Sequence, residues 1–217
     1  MRHLRHTVVA AVAVALCLAP VAGAQSPRED RGGAVVAPAK DKWLGESWAQ
    51  LYSLPLSENP FAGNGNPCLT LANKVIQEIG RPCTIEQGTT FMTYFGSAWS
   101  SAEDPFPQTE AEQLALAVAI DHEIVRAVTV TVDDGMTVDI HTPRFELFSP
   151  QRTVLLPPDA IFDLNGPKTV TLTAHAWGAA VRKLSLGEHN VVVDITFSDG
   201  FTDSAPHILN VVPKHSR

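Results

Sequence analysis

Positive charge is scarce in this chain and nowhere clustered: 16 Lys and Arg stand against 23 Asp and Glu, a formal charge of −7 at pH 7 over 217 residues. A net-negative surface without a basic stripe repels phosphate backbones, which argues against nucleic acid as a partner. Aromatic residues are few, at 7%, and cysteines number three. Familiar catalytic signatures are missing as well. There is no G-x-S-x-G elbow, no H-E-x-x-H, no phosphate-cradling loop and no G-x-G-x-x-G. Asp133-Asp134-Gly135 is not followed by the rest of a calcium loop and reads as a hairpin turn. No cofactor and no metal ligand set is therefore expected. What is present, 45% hydrophobic residues with 16 Pro and 14 Gly, is too apolar for disorder and too varied for low complexity.

Residues 1–24 read as a secretory signal. Arg2 and Arg5 give a positive start, residues 7–18 an apolar run too short to span a bilayer, and Ala22-Gly23-Ala24 a small-residue cleavage site. Their removal takes away two Arg and no acid, so the formal charge falls from −7 to −9. No later run reaches the ~20 apolar residues of a spanning helix. Membrane contact is expected only through the signal before cleavage. Cys17 leaves with the signal, and Cys68 and Cys83 remain as an even pair in an oxidising compartment. They lack the close spacing and neighbouring His of a zinc site, so a disulfide is expected.

Residues 25–42, rich in Ala, Pro, Gly and charge, read as a disordered leader, and residues 214–217 as a tail. Between them, 43–213 reads as one domain. Trp43, Leu44, Trp48, Leu51 and Tyr52 share a helical face that suits packing over the sandwich end better than ligand binding. Thr109-x-x-Glu112 is a capping box opening a second helix that runs to about 122–126. The rest alternates with period two between turns: strands are predicted near 75–79, 89–95, 128–132, 137–141, 169–177, 189–197 and 208–212. The fold class is mainly β, an antiparallel β-sandwich of jelly-roll or immunoglobulin type with one or two short helices.

Trp43…Trp48-x-x-x-Tyr52-Ser53-Leu54-Pro55 followed by Asn59-Pro60, and Arg81-Pro82-Cys83-Thr84-Ile85-x-x-Gly88 with Cys68 before it, resemble segments of a group of bacterial secreted proteins of unknown function. Val130-Thr131-Val132-Asp133-Asp134-Gly135, Arg144…Ser149-Pro150 and Leu184–His189 are similar to its later parts. Glu86 stands where the group has Pro. The resemblance implies a secreted, disulfide-linked β-sandwich and brings no activity with it.

Asp121-His122-Glu123 is the densest titratable cluster, but neighbours on a helix point apart, so Asp121 and His122 need outside partners such as Glu103, Asp104 or His175. Strand 169–177 puts Thr169, Thr171, Thr173, His175 and Trp177 on one face and Val170, Leu172, Ala174 and Ala176 on the other. The first face reads as solvated, or as the floor of a groove in which Trp177 stacks a sugar beside His175 and Thr173. Asp139 and His141 share a second such face. Two functions follow. The first is a secreted, non-enzymatic binding module for a glycan, an envelope component or a protein partner. The second is a cofactor-independent enzyme of the cyclase, isomerase or lyase type, holding a small apolar molecule in a sandwich pocket with Asp121, His122 and His175 as polar anchors.

Overall fold

The computed structural model describes residues 33–71, 81–101, 107–160 and 168–214, with the backbone of 75–78. The signal, residues 25–32, Glu103, Asp104, the turn at 165–167 and the last three residues lie outside the described residues. The protein is mainly β, and its described residues form two sheets and two α-helices.

The first sheet is organised around one long strand, β10 (Lys168–Arg182). One edge of β10 pairs with β5 (Thr90–Ser100). Its other edge is shared by three short strands: β9 (Arg152–Leu156), β8 (Glu146–Phe148) and β1 (Val35–Pro38). Beyond β5 lie β3 (Val75–Glu78) and then β2 (Cys68–Thr70). The second sheet runs β4 (Cys83–Glu86), β12 (Thr202–Val212), β11 (Gly187–Phe197), β6 (Val125–Val132), β7 (Met136–Asp139). Pairing is antiparallel except for β3 with β5 and β4 with β12, which are parallel. The sandwich is thus not antiparallel throughout. β3 lies in one sheet and the next strand, β4, in the other, so neither reaches its parallel partner, β5 or β12, through a hairpin.

Two cores flank the first sheet. On its outer face α1 (Asp41–Ser53) buries Trp43, Leu44, Trp48, Leu51 and Tyr52 against Leu156, Leu172, Ala174 and Ala176. The Trp stripe is a packing face, as expected, but it covers the broad side of the sheet rather than the end of the sandwich. On the inner face Phe91, Trp177, Ala179 and Val181 meet Val128, Val130, Val191, Val193 and Leu209 of the second sheet. The sheets also approach through Cys68 of β2 and Cys83 of β4, which form a disulfide with their Cα atoms 5.3 Å apart. That bond marks folding in an oxidising environment. Among the described residues no helix is long and apolar enough to cross a membrane.

The leader expectation fails at its C-terminal end. Val35–Pro38 pairs with Ala179–Arg182 and α1 already starts at Asp41. A four-residue strand has little signal of its own, and here the open edge of β10 supplies its hydrogen bonds. The turn at 133–135 does form: Asp133 and Asp134 take φ of 53° and 55°, the left-handed pair that a tight hairpin needs. His189 Nδ1 lies 2.6 Å from Asp133 Oδ2, while its Nε2 donates to the Ser185 carbonyl at 2.9 Å. With that nitrogen protonated, His189 is no base for the nearby Ser185 hydroxyl. It staples the turn.

β10 also needs close contact with β5, and glycine provides it. A Cβ at Gly96 would stand 2.2 Å from the His175 carbonyl oxygen and 2.4 Å from the Ala176 Cα. Only a bare backbone passes here, immediately beside His175.

Candidate functional site

Helix α2 (Glu110–Ile124) carries the capping box at Thr109 and Glu112 and buries an unusual stripe: Gln113, Ala117 and Asp121. These positions recur every four residues, so Gln113 and Asp121 stand about 12 Å apart along one helix face. Thr171, Thr173 and His175 recur every two residues over about 13 Å of strand. The two polar rows match. Gln113 Nε2 donates to Thr171 Oγ1 at 3.2 Å, Thr173 Oγ1 donates to Gln113 Oε1 at 3.0 Å, and His175 Nδ1 meets Asp121 Oδ2 at 2.8 Å.

From Thr173 to Trp177 the Thr/His/Trp face of β10 is therefore neither solvated nor an open groove, while Thr169 alone stays exposed. Thr171 to His175 meet α2 and Trp177 meets the other sheet, with His175 at 0% and Trp177 at 2% exposure. Buried there, Trp177 presents no ring for a sugar to stack on, and Thr173 belongs to the helix–sheet contact rather than to a binding floor.

Asp121 and His122, adjacent in sequence, serve two sides of one network. Asp121 turns inward; its Oδ2 also accepts the Ser97 amide at 3.0 Å. His122 turns outward, its side chain 51% exposed, and its Nε2 lies 2.6 Å from Glu146 Oε1. The same oxygen is 3.1 Å from His175 Nε2. His175 thus has a carboxylate oxygen at each ring nitrogen. A protonated nitrogen on either side of the ring donates to the carboxylate it faces. Burial would raise the Glu146 carboxyl, but the hydrogen bonds and charge of His122 and His175 outweigh it and hold Glu146 below its ordinary value. Beside the network, Ser97 Oγ is buried without a hydrogen-bond partner.

The site's walls are aromatic. Trp177 lies 5.0 Å from the His175 ring, 5.3 Å from His122 and 4.3 Å from His141; Phe148 lies 5.3 Å from His175. Asp121 and His122 were candidates from the sequence, with His175 one of three possible outside partners beside Glu103 and Asp104; the fold places His175 between Asp121 and Glu146. Glu146 was not among the candidates, since it opens a strand of only three residues, and His141 was put on a solvated face rather than against Trp177.

His141 gives a pH-dependent expectation. Burial chiefly, helped by the positive charge of His122 and Arg126, pushes its imidazole below the ordinary value against the pull of Asp139 and Glu146. Between that lowered value and the unfolded value of about 6.5, the unfolded chain binds more protons. His141 therefore contributes stability above about pH 6.5 that fades as pH falls through its folded value. His141→Asn should lose less stability than the parent on acidification from pH 7.5 to 5, read by denaturant midpoints. An NMR titration midpoint for His141 at or above 6.5 would sink the expectation.

The molecule is, as a class, a two-sheet β-sandwich with a histidine–carboxylate network at the junction of helix and sheet. No family model matches the chain, and no curated protein matches it. Among solved structures it is similar to part of a family 123 glycoside hydrolase from Clostridium perfringens, at 10% identity and a TM-score of 0.26. The match takes in 85% of this chain and 28% of that one, so the chain spans under a third of that enzyme's length.

Proposed function

We propose that the protein is exported through residues 1–24 and acts outside the cytoplasm as a non-enzymatic binding protein for an envelope glycan, held at the mouth of the His122–Glu146 pair. One observation carries the reading. The polar network runs from buried Asp121 through His175 to Glu146 and half-exposed His122, and it opens beside the phenyl ring of Phe148, which is 41% exposed. A sugar ring offers an apolar face to such an aromatic and hydroxyls to a carboxylate and an imidazole. The stacking role assigned to Trp177 from sequence passes to Phe148. The Cys68–Cys83 bond supports work in an oxidising compartment.

Binding is favoured over turnover because the groups best arranged to move a proton, Asp121 and His175, are sealed from any substrate. Proton transfer needs hydrogen-bond reach to the reacting atom. The test is a glycan array probed with the chain as exported. Retention of envelope glycans is expected, with His122→Ala and Phe148→Ala each weakening it about tenfold, or 1.4 kcal/mol. Parent-like retention by both variants, or no retention by the parent, overturns the reading.

A further inference from the structure

We infer that His122, Glu146 and His175 together bind one divalent transition-metal ion of the zinc type, leaving one coordination position open towards solvent. The inference goes beyond the glycan reading: it shares that reading's location and stands on separate observations.

The donor set comes first. Two imidazoles and one carboxylate suit zinc, nickel or copper, and three protein ligands with a fourth position for water is the arrangement of an open zinc site. The relevant atoms, His122 Nε2, Glu146 Oε1 and His175 Nε2, all lie within 4.8 Å of one another. Tetrahedral ligands at ordinary zinc–nitrogen and zinc–oxygen lengths stand about 3.3 Å apart. Two of the edges, 2.6 and 3.1 Å, need to open only slightly, and half-exposed His122 is free to make that adjustment.

The outer partner is the second observation. Histidine ligands of metals characteristically donate their other nitrogen to a carboxylate, which sets the tautomer and aims the ring. His175 Nδ1 does this to Asp121 Oδ2 at 2.8 Å, and Asp121 is itself held by the Ser97 amide. His175 therefore presents Nε2 towards Glu146 without freedom to turn. The three ligands are 24 and 29 residues apart in sequence yet sit on α2, β8 and β10, rigid elements that fix their spacing. On binding, the protons that now face Glu146 leave to solvent and the metal takes their place.

The chain as exported, stripped with EDTA, is titrated with ZnCl2 by calorimetry and with CoCl2 by visible absorption. One zinc per chain is expected, with a cobalt spectrum of a low-coordinate site. His122→Ala and Glu146→Gln should each weaken zinc binding on the order of 100-fold, and Asp121→Asn about 10–100-fold. Because His122 is half-exposed, the metal-free His122→Ala variant should melt with the parent. Zinc should then raise the melting temperature of the parent but not of the variant. No uptake by the parent, or uptake that His122→Ala leaves unchanged, overturns the inference. Repeating the glycan array with stripped and zinc-loaded protein separates the two readings. Zinc bound without glycan upholds the metal site and removes the glycan, while glycan retained by a protein that takes no zinc does the reverse.

Discussion

His175→Ala is expected to destabilise the fold by about 3–5 kcal/mol, the range for removing one partner of a buried ionic pair. The imidazole is fully buried between Asp121 Oδ2 at 2.8 Å and Glu146 Oε1 at 3.1 Å. Without it, Asp121 keeps a buried carboxylate whose remaining described donor is the Ser97 amide. An unpaired charge in a low-dielectric site carries most of the loss, and the vacated ring volume adds to it. Chemical denaturation measures the effect. Asp121→Ala combined with His175→Ala should cost much less than the two singles added together, because each single leaves the other group stranded. A single-variant loss below about 1 kcal/mol, or simple additivity, would falsify this account of the network. Replacing both partners with apolar groups is often near neutral, so the network's stability alone does not explain why it is there. The binding role proposed for its outer end, at half-exposed His122 and Glu146, supplies such a reason.

The same residues show what a linear reading reaches. The sandwich was legible because β6, β11 and the second half of β12 bury every second residue, as at Val128, Val130 and Val132. The start of α2 was legible because Thr109 and Glu112 complete each other's hydrogen bonds locally. The burial of His175 was not. Thr171, Thr173 and His175 look solvated in sequence because polar residues normally face water. Here they face Gln113 and Asp121, a polar helix stripe at the matching spacing. Alternation reports which face differs from the other, and it does not report what covers each. Glu146 was hidden for another reason: β8 is three residues long, and its place depends on pairing Trp177 with Glu146 across 31 residues of chain. Asp121 and His122 point apart, as adjacent helical residues must, and that divergence lets one anchor His175 while the other meets solvent.

Reduction of the Cys68–Cys83 bond is expected to cost about 3 kcal/mol, since it closes a loop of fifteen residues' separation and limits the unfolded chain accordingly. The loss should also be local. Among the described residues β3 is joined to β5 through two registered pairs, Val75 with Thr90 and Ile76 with Phe91, and β2 is joined in turn to β3. On the other side, β4 hangs from the edge of β12. The disulfide ties these two sheet edges to each other. Cutting it leaves β2, β3 and β4 held by short ladders, while the long β11–β12 and β10–β5 pairings are untouched. Cys83 lies within the second-sheet core, so Cys68→Ala with Cys83→Ala is a cleaner test than a serine, which would place a hydroxyl among apolar neighbours. Hydrogen exchange should speed up at the Leu69, Thr70 and Thr84 amides of the double variant, with Val191 and Val193 still protected. Uniform acceleration across both sheets would instead mean that the bond sets the stability of the whole sandwich, and unchanged exchange would mean that the two edges hold without it.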